Sequence, residues 1–158
     1  MSLEQIQKIL IENGIREEYA PLAAEEITKR QHLFGKEYET GKMYPLEKIG
    51  DISKSFNLKT ERYHEGNRKF NPAIPIGEAL DGSIWALTEY ESVYLFSPDL
   101  QSKIKIFTYI EFFLMAIENN KLQQKTLKTQ KMKYNLKLQK QDFFQMRKVN
   151  MKQGVNHM

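Results

Sequence analysis

The stretch Ile74-Pro-Ile-Gly-Glu-Ala-Leu-Asp-Gly-Ser-Ile-Trp-Ala-Leu-Thr88 decides the fold. Two apolar runs flank Asp81-Gly82. The central residues of a tight hairpin turn need positive φ, which Asp tolerates and Gly adopts freely. The expectation is an antiparallel hairpin pairing residues 73–76 with 83–88. Pro75 has no backbone N–H, so its strand is expected at a sheet edge or at a strand's first position. Trp85 lies amid Ile84, Ala86 and Leu87 and reads as a core residue in preference to an interface anchor, although Trp is enriched in binding hot spots.

Working toward the C-terminus, residues 89–92 form a second turn into Val93-Tyr-Leu-Phe96. Ser97-Pro-Asp99 breaks that strand, and Lys103-Ile-Lys-Ile-Phe107 alternates as a half-buried strand does. The result is a meander of about four antiparallel strands. Its open edge is expected at the strand starting at Ala73 or the one starting at Lys103, where outward lysines would discourage edge pairing. Thr108 stands three residues before Glu111, a capping-box spacing that starts a helix. Ile110, Phe113, Leu114 and Ile117 form its inward face, widened by Phe112 and Met115.

Working toward the N-terminus, residues 57–71 are polar and aperiodic and read as a loop. Leu46, Ile49, Ile52 and Phe56 recur on one helical face after Pro45, although Gly50 weakens that helix by about 1 kcal/mol relative to Ala. A further helix starts at Pro21, buries Leu22, Ile27 and Leu33-Phe34, and stops at Gly35. The first helix is capped by Ser2 with Gln5 three residues on, carries Leu3, Ile6 and Leu10, and ends at Asn13-Gly14. The fold class is therefore α+β: an antiparallel meander flanked by N-terminal helices and a C-terminal helix.

The 158 residues suit one domain. Their formal charge of +4 hides a division. Residues 1–120 hold 14 Lys and Arg against 19 Asp and Glu, a net of −5. Residues 121–158 hold 10 against one, a net of +9. The expected organisation is a folded unit over 1–120 and a basic, Lys- and Gln-rich extension over 121–158, helical or disordered. The absence of Cys excludes disulfides, a thiol nucleophile and Cys-bound zinc. The longest nearly apolar run, 104–117, is interrupted by Lys105 and Glu111 and is too short to span a bilayer. With no signal-peptide pattern at the N-terminus, a cytoplasmic location is expected.

Catalytic patterns are missing from the sequence. It has no Gly-x-Ser-x-Gly elbow and no phosphate-cradling Gly-rich loop. His32, His64 and His157 stand far apart, without the spacing of a zinc helix. His32 reads as a helix-surface residue. The adjacent pairs Glu17-Glu18 and Glu25-Glu26 are expected to point outward, whereas acid–base work needs desolvated carboxylates. The expectation is a non-enzyme with no metal and no cofactor.

Residues 70–87, then Ser92-Val-Tyr-Leu-Phe96, then Ile106-Phe-Thr-Tyr-Ile-Glu-Phe-Phe-Leu114 resemble the SUKH superfamily, which includes yeast cell-wall synthesis regulators and bacterial toxin-immunity proteins. The matching positions are Ile74 to Gly77, Gly82 to Leu87, Val93-Tyr94 and Thr108 to Phe112, with Pro45 to Ile49 resembling the segment before the family's polar loop. The N-terminal half departs from the family's Leu-Pro-x-x-Tyr and Asn-Gly-Gly pattern, having only Tyr19-Ala-Pro-Leu and single glycines at Gly35 and Gly41.

What the resemblance implies is binding of a protein partner: an acidic surface occupying a toxin domain, commonly a nuclease. A nuclease site attracts phosphate and is therefore basic, so an acidic body complements it. The candidate contacts are Glu78, Asp81, Glu89, Tyr90, Glu91 and Asp99, all at or beside turns. A rival function sits in the extension. Lys125, Lys128, Lys131, Lys133 and Lys137, interleaved with aromatic residues, offer phosphate attraction and base stacking, or attraction to an anionic membrane surface.

Overall fold

The computed structural model describes residues 1–119, apart from the side chains of 62–64. The basic extension and its five candidate lysines lie outside the described residues. The elements are α1 (Leu3–Glu12), α2 (Ala20–Lys29), β1 (Glu37–Tyr38), β2 (Gly41–Met43), α3 (Ile49–Phe56), β3 (Leu58–His64), β4 (Asn67–Ala79), β5 (Ile84–Thr88), β6 (Val93–Phe96), β7 (Lys103–Phe107) and α4 (Ile110–Glu118). Short 3₁₀ turns at Gln31–Leu33 and Leu46–Lys48 follow α2 and precede α3.

All seven strands form one antiparallel sheet in the order β1-β2-β4-β5-β6-β7, with β3 paired to the first part of β4. The meander is therefore larger than the sequence reading of about four strands. Two of the three additional strands, β1 and β2, come from residues 37–43, and the third, β3, from residues 57–71, expected as a loop. Residues 57–71 form a two-stranded ribbon in which Leu58 pairs with Ala73 and His64 with Asn67. Glu65 and Gly66 close it with φ of 51° and 79°, the double positive φ of a two-residue hairpin turn.

Pro75 is not at an edge. Strand β4 is central, pairing with β5 along one side and with β3 and β2 in succession along the other. Its β3 pairs end at Ala73 and its β2 pairs begin at Gly77, so Pro75 falls in the gap between the two neighbours. The missing N–H is tolerated there, next to the register shift between Pro75 and Gly77.

Alternation sorts the sheet's side chains. Ile74, Ile76, Trp85, Leu87, Val93 and Leu95 join Ile6 and Leu10 of α1, Ala23, Ala24 and Ile27 of α2, and Phe113, Leu114 and Ile117 of α4 in the main core. Leu58, Ala73, Ile84, Ala86 and Phe96 form a smaller cluster joined by Phe56 and Tyr94. Trp85 is fully buried, as a core residue is, and meets Phe113 edge-on at 5.3 Å between ring centres. Gly77 and Gly41 make room for its indole. A Cβ on Gly77 would lie 2.9 Å from Trp85 Cε3 and 2.5 Å from the Lys42 carbonyl oxygen.

The capping box at Ser2 forms as the sequence implies: Ser2 Oγ accepts from the Gln5 N–H, and Ser2 N–H donates to Gln5 Oε1. The one at Thr108 does not. Helix α4 begins at Ile110 with Tyr109 as its N-cap and no side-chain cap. Two residues assigned to buried helix faces face solvent instead: Leu22, 53% exposed, and Phe112, 50% exposed. Of the Glu25-Glu26 pair only Glu25 points outward. The Glu26 side chain is 15% exposed and bonds Arg30 and Lys29. His32 sits on the surface beside Glu118, at 3.3 Å.

Candidate functional site

The strand registers divide the six candidate contacts between two ends of the sheet. Thr88 pairs with Ala73, and Glu78 with Ile84. Glu89, Tyr90 and Glu91 therefore lie at one end, whereas Glu78, Asp81 and Asp99 lie toward the other. At that second end the hairpin turn at Gly82 approaches Pro98 of the β6–β7 turn.

The second group is occupied by its own architecture. Asp81 Oδ1 accepts the Ser83 N–H at 3.0 Å and closes the β4–β5 turn. Asp99 Oδ1 accepts from the Ser97 hydroxyl at 2.5 Å and from the Gln101 N–H at 3.0 Å. These donors, Ser97 first, hold the Asp99 carboxyl below its usual pKa. Glu78 pairs with Lys42 at 3.3 Å and helps burial push the Tyr44 hydroxyl up to about 12.

The first group is different. Glu91 N–H donates to the Thr88 carbonyl, and Thr88 N–H to the Ser92 carbonyl, which makes a turn with an extra residue. That residue is Glu91, at φ 66°, a left-handed conformation that costs a non-glycine residue about 1–3 kcal/mol. Neighbouring elements fasten the turn on both sides. Arg16 N–H donates to the Glu89 carbonyl at 3.3 Å, and Ile110 N–H to the Glu91 carbonyl at 2.8 Å.

The turn's side chains are drawn inward. Glu89 and Glu91 are each only 7% exposed. Glu89 Oε1 has no hydrogen-bond partner among the described residues. Burial raises the Glu91 carboxyl above its ordinary pKa, and the negative fields of Glu26 and Glu111 add to the rise. Tyr90 is held from the other side: Arg16 Nη1 donates to its hydroxyl at 3.1 Å, and Tyr19 meets its ring edge-on at 5.3 Å.

Arg16 and Arg30, on adjoining segments, already have carboxylate partners. Arg16 Nε pairs with Glu18 at 2.7 Å, and Arg30 bridges Glu26 and Glu118 at 3.3 and 3.2 Å. Next to the turn, Tyr109 and Phe112 are 49% and 50% exposed, with ring centres 6.1 Å apart. The sequence reading missed Glu26, Tyr109, Glu111 and Phe112 as parts of this site. Nothing local marks them, since the Glu91–Ile110 bond that brings the last three to the turn spans two strands and the turn between them, and Glu26 comes from α2.

Among the described residues no group of His, Asp and Glu is arranged to hold a metal ion, and no helix is long and apolar enough to cross a membrane. Comparison of the chain with family models, curated proteins and solved structures found no match.

Proposed function

We propose that the protein is a non-catalytic binding module that neutralises a basic partner protein, in the manner of an immunity protein, through the sheet end that carries Glu89, Tyr90 and Glu91. The observation that carries this reading is the buried, strained Glu91. Its burial beside other carboxylates works against stability, as does its left-handed backbone. A cationic partner would offset the electrostatic part of that cost on binding. The exposed Tyr109 and Phe112 supply the aromatic area that interface centres favour. The SUKH resemblance supports the same class of function, with a toxin domain, such as a nuclease, as the partner.

The test is co-expression with the product of an adjacent toxin gene, followed by calorimetry on the purified complex at low and moderate salt. A stable complex weakened about tenfold or more by Tyr109→Ala supports the reading, since a central aromatic contact is worth about 2 kcal/mol. No complex, or one that is lost on Asp81→Asn and indifferent to Tyr109→Ala, overturns it.

The charge of residues 121–158 favours a second reading, as a nucleic-acid or membrane-surface accessory protein. Steeply salt-dependent binding of an oligonucleotide by the full chain would support it.

A further inference from the structure

Strand β7 ends the sheet: it pairs with β6 on one side and, among the described residues, with no strand on the other. Alternate residues of an antiparallel strand turn their N–H and C=O groups to opposite sides, so one set faces β6 and the other faces outward. No backbone group of a described turn, loop or helix bonds to residues 103–107, which leaves the outward set open.

The register divides the side chains of β7 by face. Lys103 and Lys105 stand opposite Phe96 and Tyr94, on the face of the smaller cluster. Ile104 stands opposite Leu95, and Ile104, Ile106 and Phe107 pack against the main core while staying only partly buried. Neither lysine has a carboxylate partner among the described residues. The edge thus combines open backbone groups, half-covered aliphatic side chains and unpaired cations.

The other edges lack that combination. Strand β1 has two residues, too few to hold a further strand in register. Strand β3 lies on the ribbon, where Glu61 and residues 65–70 are exposed, so a strand added there would gain backbone bonds with little apolar cover.

We infer that β7 is a docking edge for an extended acidic segment of another protein, in which Asp or Glu alternates with aliphatic residues. Its backbone would pair with the outward groups of β7. Its acids would meet Lys103 and Lys105 on one face, and its aliphatic side chains would cover Ile104 and Ile106 on the other. Charge argues against the nearer occupants. A second copy in full antiparallel overlap would set Lys105 against Lys105, and residues 121–158 hold 10 Lys and Arg against one acidic residue. Edge lysines discourage pairing with such strands while matching an acidic one. This edge uses none of the side chains assigned to the basic partner above, so the two interactions are independent.

The test titrates the ¹⁵N-labelled full chain with a capped peptide in which Glu and Val alternate over the length of β7. The comparisons are a Lys-Val peptide and a Glu-Val peptide N-methylated at every residue, which keeps its charge but has no N–H to donate. Saturable shifts and slowed hydrogen exchange in the amides of 103–107 are expected with the unmethylated Glu-Val peptide alone. Lys105→Glu, at an exposed position, should weaken that peptide about fivefold, the worth of a cross-strand ion pair, and strengthen the Lys-Val peptide.

Shifts confined to 121–158, equal responses to the methylated and unmethylated peptides, indifference to Lys105→Glu, or no response at all would overturn the docking edge. Concentration-dependent broadening of the β7 amides without peptide would make a second copy the occupant and overturn the acidic segment.

Discussion

Ile110 hangs helix α4 on the β5–β6 turn: its N–H reaches the Glu91 carbonyl at 2.8 Å, so the first turn of the helix and the left-handed residue share one fixed geometry. A helix's first N–H groups lack partners within the helix, and Glu91 supplies one of them. The carbonyl that caps α4 thus belongs to the residue whose carboxyl is raised above its ordinary pKa by burial first, and then by the charges of Glu26 and Glu111.

Substituting Glu91 should therefore stabilise the free protein. Glu91→Gly keeps the carbonyl, relieves the φ of 66° and removes a buried charge. The gain from the backbone alone is about 1 kcal/mol, read as a higher urea midpoint with an unchanged slope. A lower midpoint would mean that the side chain is a net stabiliser.

The same residue sets a pH dependence. Its folded pKa lies above the ordinary value of 4.5, so the folded state holds this proton more tightly than the unfolded state does. The destabilising contribution is absent well below that ordinary value, grows as pH rises through it, and is complete above the folded pKa. The stability difference between Glu91→Gln and the parent should widen on going from pH 4 upward and then level off. A difference flat with pH would contradict the raised pKa.

Two glycines should fail in distinct ways. Gly66 is at φ 79° with nothing within 4 Å of an added methyl, so Gly66→Ala costs backbone strain alone, about 1–2 kcal/mol. Gly77→Ala forces a methyl against Trp85 and the Lys42 carbonyl, an overpacking cost of about 1–3 kcal/mol or more. Near-ultraviolet circular dichroism should register the tryptophan's displacement only in the second. An unchanged spectrum there would mean that the sheet yields without moving Trp85.

Hydrogen exchange should divide strand β4 in two. Residues 67–70 are exposed and pair only with β3, whereas Ile74 and Ile76 are fully buried. The ribbon amides should exchange by local opening, and the Ile74 and Ile76 amides at rates near those of global unfolding. Uniform protection along β4 would show that the ribbon is as firmly held as the core.

Exchanging Lys125, Lys128, Lys131, Lys133 and Lys137 for Gln should leave partner binding unchanged while weakening any oligonucleotide binding at low salt. Loss of the protein complex in that variant would move the function from the Glu91 end to the extension.

Where sequence and structure agree, the signal was local. A turn forms at Asp81-Gly82, although only Gly82 takes the positive φ expected of both, at 89°, while Asp81 acts through its side chain on the Ser83 N–H; Ser2 with Gln5 completes a cap within four residues. Where they differ, the decisive contact is distant. Residues 57–71 showed no apolar periodicity because their ribbon is largely solvated beyond Leu58 and Thr60, leaving only the Glu65-Gly66 turn as a cue. Pro75 pointed to an edge because the handover from β3 to β2 has no local signature. Phe112 carries the hydrophobicity of a core residue, and only the docked orientation of α4 turns it outward. Glu89 and Glu91 were legible as turn residues, but their burial was not, since Arg16 and Ile110 enclose them from remote parts of the chain.

The handover along β4 also separates what can be altered from what must be kept. Seven residues from Ala73, about 24 Å at strand rise, the tip at Glu65-Gly66 stands clear of the core. It is a natural place to graft a fluorophore or an affinity epitope, or to engineer a protease site. A cut there would leave every β4 pair from Ala73 onward in register, so a nicked molecule would keep Trp85 buried and Glu91 in place, a two-piece protein held together by its own sheet.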